Sequence, residues 1–427
     1  MLKKEINEFI TQTDSKTPMG ELFRRYWLPV LLSEELKGLD CAPVKVELLG
    51  EKLIAFRDSD NQLGLIDEFC AHRGVSLWFG RNEMSGIRCP YHGWKYNFKG
   101  DCVDVPSEEA IEFKSRVKLR NYPMIEQGGV IWTYMGPSHL KPPVPAYEFS
   151  TVDQSQNYVS KRRQFSNWLQ ALEGGIDSSH VSFLHSGSLN RDPLIRGAKG
   201  NQYNESDKKP VFQVEKSNGG LYIGVRRNTE NDQYYWRITP WLMPNFTMVP
   251  PRGDHPIHGH FWVPINDREC WAWSYSYHPT RALTPAETLA MNEGAGIHVV
   301  VDEHHIPLAR KENDYLMNRA AQTSGLYYSG IEGVGMQDAS LQESMGAIQD
   351  RTKENLVSTD NGIIMMRQAI IKAAKAIQEN PDFAPPGIKP EDQQVRSVAL
   401  IADKEIAFLE VASEALKAVP GRPHQTI

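Results

Sequence analysis

No run of about 18 apolar residues occurs in the 427-residue sequence, so a membrane-spanning helix is not expected. Positive charge is not in excess either. The 47 Lys and Arg stand against 53 Asp and Glu, a formal net charge of -6, which leaves no footprint for nucleic acid and no polybasic membrane patch. Cysteine is scarce: Cys41, Cys70, Cys89, Cys102 and Cys270 are an odd set without the regular spacing of a disulfide framework. No G-x-G-x-x-G nucleotide fingerprint, internal repeat or low-complexity tract appears. The opening MLKKEINEFITQ places Ile6, Phe9 and Ile10 at helical spacing with charges between them, unlike a signal-peptide core, and the protein is expected in the cytoplasm with its thiols reduced.

What is present divides in two. From Val44 to about Tyr134, short alternating segments such as VKVELLG, KLIAFRD and GVIWTYMG are punctuated by Gly, Asn and Asp, as in a small antiparallel domain. The prolines of Gly136-Pro137 through Lys141-Pro142-Pro143-Val144-Pro145 can neither continue a helix nor donate to a central strand, so a boundary is expected near residue 145, giving domains 1–145 and 146–427. Beyond it, a helix from about Asn167 to Leu184 is expected before strands at LYIGVRR, YYWRIT, HGHFWVPI and CWAWSYSYH. Helices follow, with a capping box at Thr284-Pro285-Ala286-Glu287 and a long amphipathic helix after Lys389-Pro390. The class is α+β.

Two of the cysteines have histidine partners at ligand spacing: Cys70-x-His72 and Cys89-x-x-His92. A two-iron two-sulfur cluster of mixed ligation needs two thiolates on one iron and two imidazoles on the other, which such a repeated pair supplies. Sixteen residues between His72 and Cys89 suffice for a hairpin that brings the loops together, with Gly74, Gly86 and Gly93 for tight turns. Two Cys and two His can also hold zinc, although zinc loops usually pair Cys with Cys and His with His. The segment CPYHGWKYNFKG resembles the second cluster loop of Rieske non-haem iron oxygenases. Where electron-transport Rieske proteins carry a further disulfide, this sequence has Val75 and Tyr91 or Pro90, so the resemblance implies the disulfide-free cluster.

A second constellation follows the proline-rich stretch. Asn167, Gln170, Glu173, Asp177 and His180 recur at three- or four-residue spacing, a polar stripe that on most helices is solvated. His180 and His185, flanking Phe183 and Leu184, fit the histidine part of a 2-His-1-carboxylate site. Five residues correspond to about 140° around a helix, so the helix must bulge or end for both to meet one metal. Carboxylate candidates downstream are Asp302, Glu303, Asp314, Asp338, Glu343, Asp350 and Asp360. His258-x-His260 and Asp302-Glu303-His304-His305 could also chelate a metal, but neither has a third ligand nearby in sequence, and packing, substrate contact or surface placement accounts for them better.

The pattern Glu-x-x-x-Asp-x-x-His-x-x-x-x-His resembles Rieske oxygenase catalytic domains, and MQDASLQESMGAIQDRTKENL resembles the phthalate dioxygenase branch. The resemblance implies a Rieske domain followed by a helix-grip (START-like) catalytic domain. It implies iron held by His180, His185 and Asp338, with Glu343 the next candidate, and Asp177 as the bridge to a neighbouring subunit's cluster in a trimer or hexamer. It implies an oxygenase that hydroxylates or dihydroxylates an aromatic, often carboxylated compound with O2. Electrons would come from a separate NAD(P)H-dependent flavin and iron-sulfur reductase. O-demethylation of a methoxylated aromatic acid is the enzymatic alternative, and an electron carrier with a non-catalytic binding domain is the alternative from another class. Arg237 in YWRIT resembles a substrate-carboxylate position, and Arg227 shares a strand face with Leu221, Ile223 and Val225, although a solvated strand arginine fits either position equally well. Val181 is apolar where phthalate enzymes tend to have a small polar residue, which points away from phthalate itself.

Overall fold

The computed structural model describes residues 1–108 and 111–426. The first part of the chain builds three small antiparallel sheets. In one, β1 (Trp27–Leu32) pairs with the hairpin of β9 (Met124–Gln127) and β10 (Val130–Tyr134); β2 (Val44–Leu48), β3 (Glu51–Arg57) and β4 (Leu63–Asp67) form the second. The third joins β5 (Arg81–Asn82), β6 (Ile87–Arg88), β7 (Lys95–Tyr96) and β8 (Cys102–Asp104) and has its own core of Ile54, Phe56, Ile66, Leu77, Ile87 and Tyr96.

The second part is organised by one antiparallel sheet of eight strands. From the edge inward run β11 (Asn157–Gln164), β17 (Glu269–Tyr277), β16 (Ile257–Asn266), β15 (Phe246–Val249), β14 (Gln233–Leu242), β13 (Gly220–Asn228) and β12 (Val211–Lys216). The eighth, β18 (Val398–Asp403), pairs with the first half of β14. The helix Asn361–Glu379 packs its apolar face on this sheet through Met366, Ile370, Ala373, Ala374 and Ile377, residues at helical three- and four-residue spacing. Helix and sheet together form the expected helix-grip arrangement of an α+β fold. The core is continuous with the N-terminal segment: Ile10, Leu22, Phe23 and Trp132 belong to the same buried cluster as Trp168, Ile223 and Trp241.

Two local expectations are corrected. The helix expected over 167–184 stops at Ile176, because Asp177 turns to an extended conformation (φ -86°, ψ 111°), and only a 3-10 turn, His180–Ser182, follows. No long helix follows Pro390. That segment is a 3-10 turn, Pro390–Gln393, then β18 and a short helix, Phe408–Ala412, because β14 offers a free edge to which a β-branched segment docks. Of the polar stripe, Asn167, Gln170 and Glu173 are buried, and Asp177 and His180 are half-buried. Asn167 Nδ2 donates to the carbonyls of Thr11 and Asp267, Gln170 Nε2 to those of Gln342 and Gly346, and Glu173 receives Arg351 and Arg367. Polar groups at such spacing survive burial because each has a partner.

Candidate functional site

The two cysteine-histidine loops repeat one hydrogen-bonded turn. Cys70 N–H donates to Val75 O (2.9 Å) and Gly74 N–H returns to Cys70 O (2.9 Å); Cys89 N–H donates to Trp94 O (2.8 Å) and Gly93 N–H to Cys89 O (3.0 Å). Each turn closes on a glycine at positive φ, 73° for Gly74 and 77° for Gly93, where a side chain would be strained. The result buries the thiols of Cys70 and Cys89 and leaves the imidazoles of His72 and His92 facing each other at the tip, ring centroids 4.4 Å apart. Trp94 stacks on His72 at 4.7 Å. The Tyr96 hydroxyl accepts from Ala71 N–H (3.2 Å) and so has its own proton free for Cys70 Sγ at 3.3 Å. Among the described residues, the ligand atoms of these four do not all converge within 4.8 Å, as one zinc ion would need and a two-iron cluster does not.

One group does converge so tightly: His180, His185 and Asp338. The break after Ile176 resolves the five-residue spacing, because the 3-10 turn and the loop after it rotate both imidazoles to one side. His180 Nε2 and His185 Nε2 lie 3.1 Å apart, and each is 3.5 Å from Asp338 Oδ1. Ligands at right angles about 2.1 Å from one ion stand about 3 Å apart. Asp338 enters from the helix Val334–Ser344.

The tautomers follow from the partners behind the rings. Gln337 Nε2 donates to Ser188 Oγ (2.9 Å) and Ile331 O (2.8 Å), so its Oε1 faces His185 Nδ1 at 2.8 Å as an acceptor and the ring proton sits on Nδ1. Asp177 Oδ2, 3.4 Å from His180 Nδ1, acts likewise. Both Nε2 atoms are then bare lone pairs aimed at each other and at a carboxylate. Three acceptors without a donor among them fit a cation. Burial pushes His185 down to about 4, whereas for His180 the carboxylates of Asp177 and Asp338 outweigh burial and hold it above its ordinary value. Burial likewise pushes the Asp177 carboxyl up, but His180 and the Ser179 N–H, which donates to it at 2.6 Å, hold it below the ordinary carboxylate value.

The sequence places Gln337 beside Asp338 but gives it no role; the bond to His185 Nδ1 does. Gln337→Ala is expected to lower iron affinity or activity about 10- to 100-fold, while Gln337→Glu keeps the acceptor and most of the iron. Metal content after dialysis against a chelator measures both.

Among the described residues, none of the other candidate acids, Asp314 included, joins the two histidines. Glu343 accepts from Phe165 N–H and Tyr315 Oη, and Asp302, Asp350 and Asp360 accept from their own turns. Glu303 and His304 are exposed, and His305 faces Glu35.

Beside the triad lies a cavity of about 90 Å³ lined by His180, His185, Asp338, Val181, Arg237, Thr239, Arg252, His258 and His260. Arg237 is 3 % exposed, and its Nε and Nη1 have no partner. Arg252, which no periodicity singled out, is buried next to it and donates to Asn201 Oδ1; burial and the like charge of Arg237 push it down to about 9. Arg227 does not line the cavity. Its guanidinium donates to Ser178 O (2.8 Å) and Ser182 Oγ (3.3 Å), bracing the turn that carries His180. None of the three arginines has a carboxylate at ion-pair distance among the described residues, a costly arrangement unless an anion joins them.

The family model described as Rieske [2Fe-2S] domain matches residues 26–123, and the LigXa C-terminal domain like model matches residues 133–416. The 3-chlorobenzoate-3,4-dioxygenase oxygenase subunit of Comamonas testosteroni is 36% identical over 407 residues, covering 91% of this chain and 92% of that one. This chain belongs to the Rieske oxygenases, as an oxygenase subunit. This oxygenase is therefore an enzyme with a [2Fe-2S] cluster and a mononuclear iron. It is also similar to the phthalate 4,5-dioxygenase oxygenase subunit of Pseudomonas putida, 33% identical with 95% and 94% covered. The 5,5'-dehydrodivanillate O-demethylase oxygenase subunit of Sphingobium sp. is 29% identical with 90% and 82% covered. The oxygenase in the reduced oxygenase–ferredoxin complex of carbazole 1,9a-dioxygenase shares the fold, with a TM-score of 0.56 and 19% identity over 86% of this chain and 94% of that one. No described helix is long and apolar enough to cross a membrane.

Proposed function

We propose that this oxygenase uses O2 to hydroxylate or dihydroxylate an aromatic carboxylate, with Cys70, His72, Cys89 and His92 holding the cluster and His180, His185 and Asp338 holding the iron. The observation that carries the substrate class is the pair of buried guanidiniums, Arg237 and Arg252, beside the triad without a carboxylate partner. A substrate carboxylate accepting from the unpartnered Arg237 guanidinium sets the angle at which the ring meets the metal-side wall. Val181 and Ile195, with Leu189, supply the apolar wall against the ring. Iron bound by the three acceptors supplies reductive activation of dioxygen. The protein's own part is orientation: Gln337 and Asp177 hold the imidazole tautomers, and Arg227 braces their turn.

Asp177 stands 24 % exposed beside His180, a position suited to receiving His92 of another copy. We assign it the bridge through which electrons pass between subunits of a homotrimer or hexamer, with the domains divided near residue 145. A separate flavin and iron-sulfur reductase supplies the electrons, in the cytoplasm. The similarity to an O-demethylase subunit favours one second reading, demethylation of a methoxylated aromatic acid.

The test couples oxygen uptake to product analysis across a panel of benzoate, 3-chlorobenzoate, phthalate and methoxybenzoates, with a reductase and labelled dioxygen. A labelled diol or phenol supports the first reading and formaldehyde the second. A chain that passes electrons without mononuclear iron or oxygenated product would be a carrier. Arg237→Gln is expected to raise KM for the carboxylate about 10- to 100-fold, the loss of a charged hydrogen bond, with less effect on a neutral analogue such as the methyl ester. Equal effects on acid and ester would remove Arg237 from carboxylate recognition.

A further inference from the structure

The cavity has a further unpartnered polar atom, on the wall formed by the sheet. His258 and His260 on β16, Ser274 and Ser276 on β17, and Tyr158 and Ser160 on β11 stand at alternate positions of neighbouring strands, and His258 pairs directly with Ser276. On this face the polar side chains form a continuous chain. His258 Nδ1 lies 2.6 Å from Ser276 Oγ, Ser276 Oγ 2.7 Å from His298 Nε2, and His298 Nδ1 2.7 Å from Ser160 Oγ. His258 lines the cavity, and its Nε2 is buried without a partner. At the other end Ser160 is half-buried on the edge strand, and His298 also lines a separate surface cavity of about 480 Å³.

We propose that Ser160, His298, Ser276 and His258 form a proton relay that feeds the reaction cavity from the outer edge of the sheet. The inference rests on the oxygenase reading above and adds the route by which protons arrive. Oxygenation consumes two electrons and two protons with each O2. In monooxygenation one oxygen atom enters the substrate and the other leaves as water; in dihydroxylation both enter the product and the two protons complete its hydroxyls. The electrons come from the reductase through the cluster, and the protons must come from water.

The chain is wired for this in either sense. In one, Ser160 O–H donates to His298 Nδ1, His298 Nε2–H to Ser276 Oγ, Ser276 O–H to His258 Nδ1, and His258 Nε2–H points into the cavity. When an acceptor in the cavity takes the His258 Nε2 proton, Ser276 returns one to His258 Nδ1. His298 then supplies Ser276, Ser160 supplies His298, and solvent supplies Ser160. One proton has crossed, every atom keeps its valence, and no buried ion has formed. After product leaves, water entering the cavity returns a proton to His258 Nε2, the same transfers run in reverse, and the starting sense is restored. Burial suits the imidazoles to this role: it pushes His258 down to about 3 and His298 well below its ordinary value, so both are neutral near pH 7, with one nitrogen donating and the other accepting.

The test uses the holoenzyme, its reductase and whichever acid of the panel it turns over, starting with 3-chlorobenzoate. Ser276→Ala and Ser160→Ala are expected to lower kcat at least about tenfold with KM within about threefold, and Ser160→Thr to restore kcat. In a single turnover of pre-reduced enzyme, reoxidation of the cluster, read optically, slows with the same pattern. With the mononuclear iron removed, nitrogen NMR of labelled histidine is expected to show His258 and His298 as neutral rings sampling both tautomers, with Ser276→Ala altering the balance. Iron content and melting temperature identify a variant that has merely misfolded, and Ser160→Ala, at the half-buried end, is the one least exposed to that outcome. Two serine-to-alanine variants with full iron and kcat within about twofold of wild type would overturn the relay, as would a His258 locked in one tautomer. A wild-type enzyme that oxygenates no acid removes the oxygenase reading and the relay with it. An active wild type with unaffected variants removes the relay alone.

Discussion

Replacing His185 with alanine is expected to strip the mononuclear iron and abolish oxygen-dependent turnover while the visible and EPR signals of the cluster persist. The two sites share no residue. The cluster loops fold on their own small core, whereas His185 is fixed from the far side by Gln337 on the helix Val334–Ser344. Removal of the ring leaves His180 and Asp338, two of the three proposed ligands of a site that requires all three. His180→Ala and Asp338→Ala are expected to do the same. Iron analysis against the cluster absorbance reads the result as mononuclear iron per cluster, near one in wild type and near zero in each variant. A full complement of iron in His185→Ala would exclude the assignment.

The second large effect is on stability. Glu173 lies beneath the turn that carries the histidines, 6 % exposed, and receives Arg351 Nη2 at 2.9 Å and Arg367 Nε at 2.7 Å. Arg351 also donates to Asn7 Oδ1, so this carboxylate ties the N-terminal helix, the helix Trp168–Ile176 and the helix Asn361–Glu379 together. Glu173→Ala leaves both guanidiniums buried and short of charge, with Arg367 keeping only Glu354 and Arg351 no ionic partner. Loss of one member of such a network costs about 3–5 kcal/mol, enough to lower the melting temperature by several degrees. Its pH dependence has a definite sign. Burial raises the Glu173 carboxyl, but the charges of Arg351 and Arg367 outweigh it and hold the folded-state value below the ordinary 4.5. The contribution is therefore complete above that value and is lost as pH falls through the depressed one. Thermal unfolding of wild type and Glu173→Gln should differ most near neutrality and converge in acid; a constant gap across that range would show that shape, not charge, supplies the effect.

The stripe containing Glu173 shows where inference from spacing reaches its limit. Asn167, Gln170 and Glu173 at three-residue intervals look the same whether they face water or the segments 346–351 and 361–379, because periodicity reports only that side chains share a face. The segment after Pro390 failed for a related reason. Its helical period competed with the free edge of β14, and only the assembled sheet presents that edge.

The sequence by itself determined the turn geometry of the two cysteine-histidine loops and four strands of the large sheet, β13, β14, β16 and β17. In the loops the ligand, the turn glycine and the backbone acceptor all lie within five residues, so local geometry suffices. In the strands, runs of aromatic and β-branched residues bounded by turn signals carry the information, because β14, β16 and β17 are buried along almost their whole length. The tertiary structure alone decided which polar groups stand together. Arg237, Arg252, Asp338 and Gln337, and the line from His258 to Ser160, come from elements separated by 15 to about 180 residues. They meet because the sheet and the helices Trp168–Ile176 and Val334–Ser344 line one cavity, and the energetic demand that every buried charge and hydrogen-bonding group find a partner can be read only after those elements are in place.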